Sequence, residues 1–268
     1  MTDVLLVGAH SFLARQYQAH ARPEVTLRTV AHDEIDTVNV ADYDCVVNFA
    51  LHPKLRTEPY SQAIDIDLHL AERLAGGAGH FVMLSSRLVY GQEVRHIARE
   101  TDAATGANTY GRNKAETERR IGEILAARCT ILRLANIIGF EYGLNRGTFM
   151  AIMLDRLAAE KEVAFDVSPF VQRDFLPDYK LAHVLQHIVL TRPGGVFNVG
   201  SGVALEIGRI GMWVLEGFGT GSMKVTSTRE HDPFVLDVAK LRRTFGPICS
   251  EAEIKRHCQE LGERLRDE

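Results

Sequence analysis

Tyr110 and Lys114, in the stretch TYGRNKAETERR (109–120), stand four residues apart in a segment of helical periodicity. That spacing sets a phenol and an ammonium on one helical face, a single turn apart. A free tyrosine titrates near ~10 and is poorly matched to proton transfer at neutral pH. A fixed positive charge beside it favours the phenolate and lowers that value, which would make Tyr110 a general acid/base. The same pair on a solvated face would be an ordinary aromatic–basic neighbourhood. The elements around it decide between the two.

A hydroxyl stands upstream. HFVMLSSRLVYG (80–91) reads as a strand ending in Ser85 and Ser86, at the sheet edge where α/β proteins bind ligands. The helix carrying Tyr110 follows roughly 24 residues later, long enough to return past that edge. Ser86 could then hydrogen-bond a carbonyl or carbinol oxygen while Tyr110 passes it a proton.

DVLLVGA (3–9) is a buried run that breaks at Gly8, followed by Ser11 and Ala14. A dinucleotide needs such a tight strand-to-helix turn, so that helix N–H groups face its pyrophosphate. Gly8 can make the turn, Ser11 can donate to phosphate, and Ala14 permits close helix–strand contact. Phe12 and Leu13 at the head of the helix, with Ala50 and Leu51 after VVNFALHP, complete the expected cofactor lining. Asn48 and Ala50 fall where a nucleotide ribose would lie. At the end of the second strand, TVAHDEID offers His32 to a 2′-phosphate and Asp33 to a 2′-hydroxyl, so both NADP and NAD stay open. Hydride would move between C4 of the nicotinamide and the carbinol carbon, with Lys114 also bonding the ribose.

The chain of 268 residues is 46% hydrophobic and 25% charged, with a formal charge of −4, which suits a large core and argues against nucleic-acid or anionic-membrane binding. No run reaches the roughly 20 apolar residues of a membrane span, and MTDVLLVGAH lacks the basic start of a signal peptide. Cytoplasmic localisation is expected. The four cysteines (45, 129, 249, 258) show no C-x-x-C spacing, so free thiols and no zinc are expected. His183 and His187, without a companion carboxylate, read as ordinary helix histidines, and Trp213 as core.

Short apolar runs at 3–9, 25–31, 44–50, 80–86 and 129–135 alternate with helices at about 59–76 and 108–127. The 44–50 run is numbered as the fourth strand, allowing a short third near TVNV. Runs apolar on both faces suit a parallel sheet covered on each side, and the alternation predicts a doubly wound, Rossmann-type α/β fold. The expected division is a dinucleotide-binding core over 1–135 and a small substrate-binding cap over 136–268, interleaved with the last core strands and helices.

In order and spacing, the glycine turn, SSRLVYG, YGRNK, RLANIIG, VQRDFLPD and VFNVGSG resemble the extended short-chain dehydrogenase/reductases, the NAD-dependent epimerase/dehydratase family of nucleotide-sugar enzymes. The resemblance covers nearly the whole length. It implies catalytic Ser86, Tyr110 and Lys114, and Asn136, Arg173 and Arg229 on a nucleotide-sugar diphosphate. Arginines suit a diphosphate because they bind it in bidentate fashion. Surface salt bridges for the arginines, and a turn cap for Asn136, are the alternatives. It further places Asp36 near the adenine and substrate recognition in 87–107 and 140–172. It also implies a homodimer through Ala63, Ile66 and Leu70 on one helix and Ile121, Ile124 and Leu125 on another, with burial of these residues within the monomer as the alternative. Asp65 stands where many relatives carry asparagine, against an Asn-mediated water relay.

Family 4,6-dehydratases resemble TDE-VYG at the end of the fifth strand, with two carboxylates for elimination. Ser86, Arg87 and Leu88 stand there instead, and no cysteine lies nearby for C3/C5 inversion. Reduction of a 4-keto-sugar nucleotide is the favoured expectation, from the short chain and the compressed second-strand region. An NAD-retaining 4-epimerase is the alternative, and a non-catalytic redox sensor or scaffold a third reading.

Overall fold

The computed structural model describes residues 1–91 and 97–268; residues 92–96, within one expected substrate-recognising segment, lie outside the described residues. In chain order the elements are β1 (Thr2–Val7), α1 (Phe12–Ala19), β2 (Val25–Val30), β3 (Cys45–Asn48), α2 (Ile66–Leu74), β4 (His80–Ser86), α3 (Thr109–Leu125) and β5 (Cys129–Leu134). There follow β6 (Asn136–Ile138), α4 (Phe149–Glu160), β7 (Glu162–Phe165), β8 (Gln172–Arg173), β9 (Phe175–Pro177) and α5 (Asp178–Thr191). The chain ends with β10 (Gly195–Val199), β11 (Leu205–Glu206), α6 (Ile207–Phe218), β12 (Ser222–Val225), α7 (Ala239–Phe245) and α8 (Glu251–Asp267).

Two compact units share the chain. The first holds residues 1–134, 179–199 and 237–246; the second holds 135–178, 200–236 and 247–268. The first unit is built on a six-stranded parallel sheet of order β10-β5-β4-β3-β1-β2, a doubly wound Rossmann-type arrangement. Its order reverses between β1 and β3, and beyond the carboxyl ends of strands at such a reversal α/β sheets bind their ligands. Leu70, Leu74, Ile121 and Leu125 from α2 and α3 join Val46, Phe81 and Met83 from the sheet in one core. Burying each such large side chain contributes about 1.5–3 kcal/mol, enough in sum to hold both helices in place.

Three expectations change. No strand forms at TVNV, so the 44–50 run is the third strand and those at 80–86 and 129–135 the fourth and fifth. The chain there makes 3-10 turns at Ile35–Thr37 and Val40–Asp42, and the Arg73 guanidinium takes the Val38 carbonyl that a strand would need, along with the Ile35 carbonyl before it. The helix expected over 59–76 begins only at Ile66, because the Asp65 carboxylate takes the Leu68 amide and caps it there. The stripe expected to pair two copies is largely core: Leu70, Ile121 and Leu125 are buried, and Ile66 and Ile124 pack against them, while Ala63 lies exposed in the 3-10 turn before α2. Exposed positions on these helices carry charge, as at Glu72, Arg119 and Glu123.

The second unit contains two-stranded pairs, β6 with β9 and β7 with β12 parallel, β8 with β11 antiparallel. Helices α6 and α8 meet backbone to backbone: a Cβ on Gly217 would lie 1.9 Å from the Gln259 carbonyl oxygen. Trp213 is buried in the same unit. Asp174, fully buried, accepts the Ser201 amide and hydroxyl, each at 2.8 Å, with the Gly202 and Leu236 amides at 3.1 and 3.3 Å. One carboxylate thereby ties VQRDFLPD to VGSG and to the segment at 236. Burial pushes this carboxyl up to about 6, against the opposing pull of the Ser201 hydrogen bonds. All four cysteines are free and buried. Among the described residues no helix is long and apolar enough to cross a membrane, and no group of three or more His, Cys, Asp or Glu could hold a metal ion.

Candidate active site

Strand β4 ends at Ser86, whose hydroxyl accepts the Leu88 amide at 3.2 Å and starts a single 3-10 turn over Arg87–Val89. The Leu88 and Val89 carbonyls accept the amides of Ala107 and Gly106 at 2.9 and 2.8 Å. The segment entering α3 is therefore stitched to the turn leaving β4. Asn108 caps the helix by accepting the Gly111 amide, and Gly111 then lies directly on the Leu88 carbonyl. A glycine inside a helix costs up to about 1 kcal/mol relative to alanine. Its use here is close approach: the first turn of α3, with half-buried Tyr110, seats on the turn that Ser86 caps.

Lys114, one turn further, is buried. Its Nζ donates to Asp67 Oδ2 at 2.8 Å, and Asp67 Oδ1 accepts from Asn48 Nδ2 at 2.7 Å. Burial works against the ammonium, but the Asp67 carboxylate and the neighbouring Tyr110 phenol outweigh it and lift Lys114 to about 12. The lysine is thus charged at physiological pH. Asn48 does not face an open ribose position as expected: it is buried, and its amide also brackets Ala50, donating to the carbonyl and accepting the N–H. Asp65 is likewise occupied, accepting from the Tyr60 and Thr117 hydroxyls at 2.8 and 2.6 Å.

At the end of β1, Gly8 adopts φ +96°, and a Cβ on it would lie 2.9 Å from the Ala50 amide nitrogen. Gly8 therefore brings the turns after β1 and β3 together at the reversal of the sheet order. Ser11 is the N-cap of α1 yet makes no side-chain cap bond, so its hydroxyl and the Leu13 and Ala14 amides of the first turn remain uncapped. That arrangement fits a pyrophosphate, with Ser11 and these amides to hold it, and Ala50 and Leu51, in the turn after β3, are half-buried. Phe12 is buried and Ala14 fully so, as close helix–strand contact requires. His32 is exposed beyond β2, and the exposed Asp36 carboxylate is shared between His69 and Arg73, each at 3.3 Å.

The remaining candidates belong to the second unit. Asn136 opens β6, half-buried, and its amide donates to the Asp174 carbonyl. Arg173 donates to the Asp232 and His231 carbonyls at 3.1 and 3.0 Å, which orders the TREHDP segment. Arg229 of that segment is exposed.

Residue-type reasoning passed over Asp67 and Gly111, and gave Ser85 a place at the strand end without its buried partner. Ser85, buried, donates to Glu118, which the Arg133 guanidinium grips at 2.7 Å while lying 4.8 Å over the Tyr90 ring. Glycine directly after the tyrosine was the one local signal available; the others depend on contacts far apart in sequence.

The model of the NAD dependent epimerase/dehydratase family matches residues 9–200. No curated protein sequence matches the chain. Among solved structures, the chain is similar to RMD from Pseudomonas aeruginosa complexed with NADPH, at TM-score 0.84 and 19% identity over 100% of this chain and 99% of that one. It is similar also to a UDP-N-acetylglucosamine 4-epimerase from Methanobrevibacter ruminantium in complex with UDP-N-acetylmuramic acid (TM-score 0.84, 15% identity, 100% and 99% covered). A dTDP-4-dehydrorhamnose reductase from Clostridium acetobutylicum gives TM-score 0.80 at 20% identity, with 98% and 99% covered. At these identities the likeness speaks for the fold.

Proposed function

The chain belongs to the NAD dependent epimerase/dehydratase family, and from that premise we propose that it reduces a 4-keto-sugar nucleotide with NADH or NADPH. The nicotinamide, when bound, supplies the hydride. Tyr110 donates its phenolic proton to the carbonyl oxygen as that oxygen gains charge, and Ser86 holds the same oxygen by a hydrogen bond. Lys114 keeps a positive charge beside the tyrosine and offers its remaining N–H donors to the ribose. Ser11 and the first turn of α1 hold the pyrophosphate. Asn136, Arg173 and Arg229 are proposed for the sugar-nucleotide diphosphate, where arginine geometry suits phosphate oxygens.

The observation that supports this reading is the seating of the first turn of α3 on the Ser86 turn, with charged, buried Lys114 one turn behind Tyr110. Arg87 and Leu88 follow Ser86 where an elimination would need two carboxylates. A homodimer is proposed on family grounds, and a monomeric mass by light scattering would remove it. Function is tested by screening nucleoside diphosphates and both coenzymes for thermal stabilisation, then assaying 4-keto-sugar nucleotides of the stabilising base. Net consumption of reduced coenzyme, abolished in Tyr110→Phe, is the expected result. Protein that retains NAD and interconverts 4-epimers without net consumption overturns reduction in favour of epimerisation.

A further inference from the structure

Within that reading, we propose that Asp67 is a positioning residue for Lys114, fixing where the ammonium stands relative to Tyr110 and the coenzyme ribose. Three observations carry it. The Asp67 and Lys114 side chains are 3% and 6% exposed, and their ion pair is 2.8 Å long. The second carboxylate oxygen is fixed as well, by Asn48 at the end of β3, and Asn48 is in turn locked to both polar backbone groups of Ala50. A relay of hydrogen bonds therefore references the lysine to the β3 end of the sheet, where Gly8 also meets Ala50, and not to α3 alone.

Stability does not account for such a pair. Desolvating two charges offsets most of their attraction, and apolar residues of similar volume commonly serve a fold as well or better. What the pair supplies is a charge at a fixed place. Among the described residues Asp67 is the acceptor for Nζ, so two of its three protons are left for a ligand. The charged and titratable groups facing the ammonium are Asp67 on α2, Asp65 at its cap and Tyr110 on α3, while β3 contributes the uncharged Asn48. Asp67 is the carboxylate in direct contact. Without it burial prevails, and the ammonium becomes easier to discharge.

The test compares wild type with Asp67→Asn, Asp67→Glu and the double variant Asp67→Leu/Lys114→Met. Each is titrated with NADH and with NADPH between pH 6 and 10, reading nicotinamide fluorescence, alongside a thermal melt. Wild type should bind with little pH dependence. Asp67→Asn should bind about tenfold more weakly or worse, with further loss as pH rises, because small displacements of positioning groups are costly. Asp67→Glu should recover part of the affinity. The double variant should melt near wild type yet bind weakly, which shows that the pair is not needed for stability; Asp67→Glu carries the positioning test if Asp67→Asn does not fold. Wild-type affinity at every pH in Asp67→Asn overturns the role of Asp67 alone, whereas wild-type affinity in the double variant overturns the ribose role of Lys114 together with it. Failure of wild type to bind either coenzyme overturns the reading of the site together with it.

Discussion

A Cβ on Gly111 would lie 1.9 Å from the Leu88 carbonyl oxygen, a separation no carbon and oxygen can hold. The helix of the proposed acid/base and the turn of the proposed oxygen-binding serine thus share a contact that a single methyl group would break. Gly111→Ala should force the first turn of α3 outward, lowering stability by about 1–3 kcal/mol. Turnover should fall at least tenfold, because Tyr110 moves with that turn. Denaturant melts and coenzyme-oxidation assays read the two effects. Unchanged values in both would show that the turn yields without cost.

Tyr110→Phe removes one oxygen and leaves the helix surface otherwise alone. Coenzyme affinity should change little, whereas turnover of a 4-keto substrate should drop by roughly 10²–10⁴, the usual contribution of a positioned acid. Equal losses in affinity and turnover would point to a packing role.

His80 predicts an acid-sensitive first unit. Thr130 Oγ1 donates to the Pro193 carbonyl, so it accepts from His80 Nε2–H at 2.7 Å. Burial, reinforced by Arg192 and Arg128, pushes this imidazole down to about 4. A folded-state value below the unfolded one means stability is present above pH ~6.5 and lost as pH falls toward 4, by up to about 3 kcal/mol. His80→Gln should flatten that slope in urea midpoints measured between pH 7 and 4; an equal slope in the variant would assign the loss to other groups.

Asp174 is the corresponding test of the second unit. Asp174→Ala would remove the acceptor shared by the Ser201, Gly202 and Leu236 amides, and each buried hydrogen bond so lost costs about 1–3 kcal/mol. The unit should lose its cooperative transition or melt several degrees lower. Because its carboxyl is raised to about 6, the contribution of Asp174 ionisation to stability declines as pH rises from about 4 to 6, opposite in sign to His80. A variant that melts as wild type would remove the carboxylate from the account.

Read one residue after another, the chain already determines the parallel sheet, the span of α3 and the glycine turn, because each leaves a local trace. Val4–Val7 and Cys45–Val47 are continuous apolar runs that suit a doubly covered strand, and Asn108 stands one residue before the helix it caps. Tertiary structure alone decided which carboxylate meets Lys114. Asp65 and Asp67 are two residues apart, and positions so spaced lie about 200° apart around a helix. The capping bond from Asp65 to Leu68 makes the first of them a helix terminus and leaves the second to face a lysine 47 residues away. Likewise the 62 residues between Asp174 and Leu236, or the 33 between Ser85 and Glu118, carry no periodic signature. Such partners are selected by the packing of whole elements, because a hydrogen bond demands a direction and distance that residue types and local spacing cannot set.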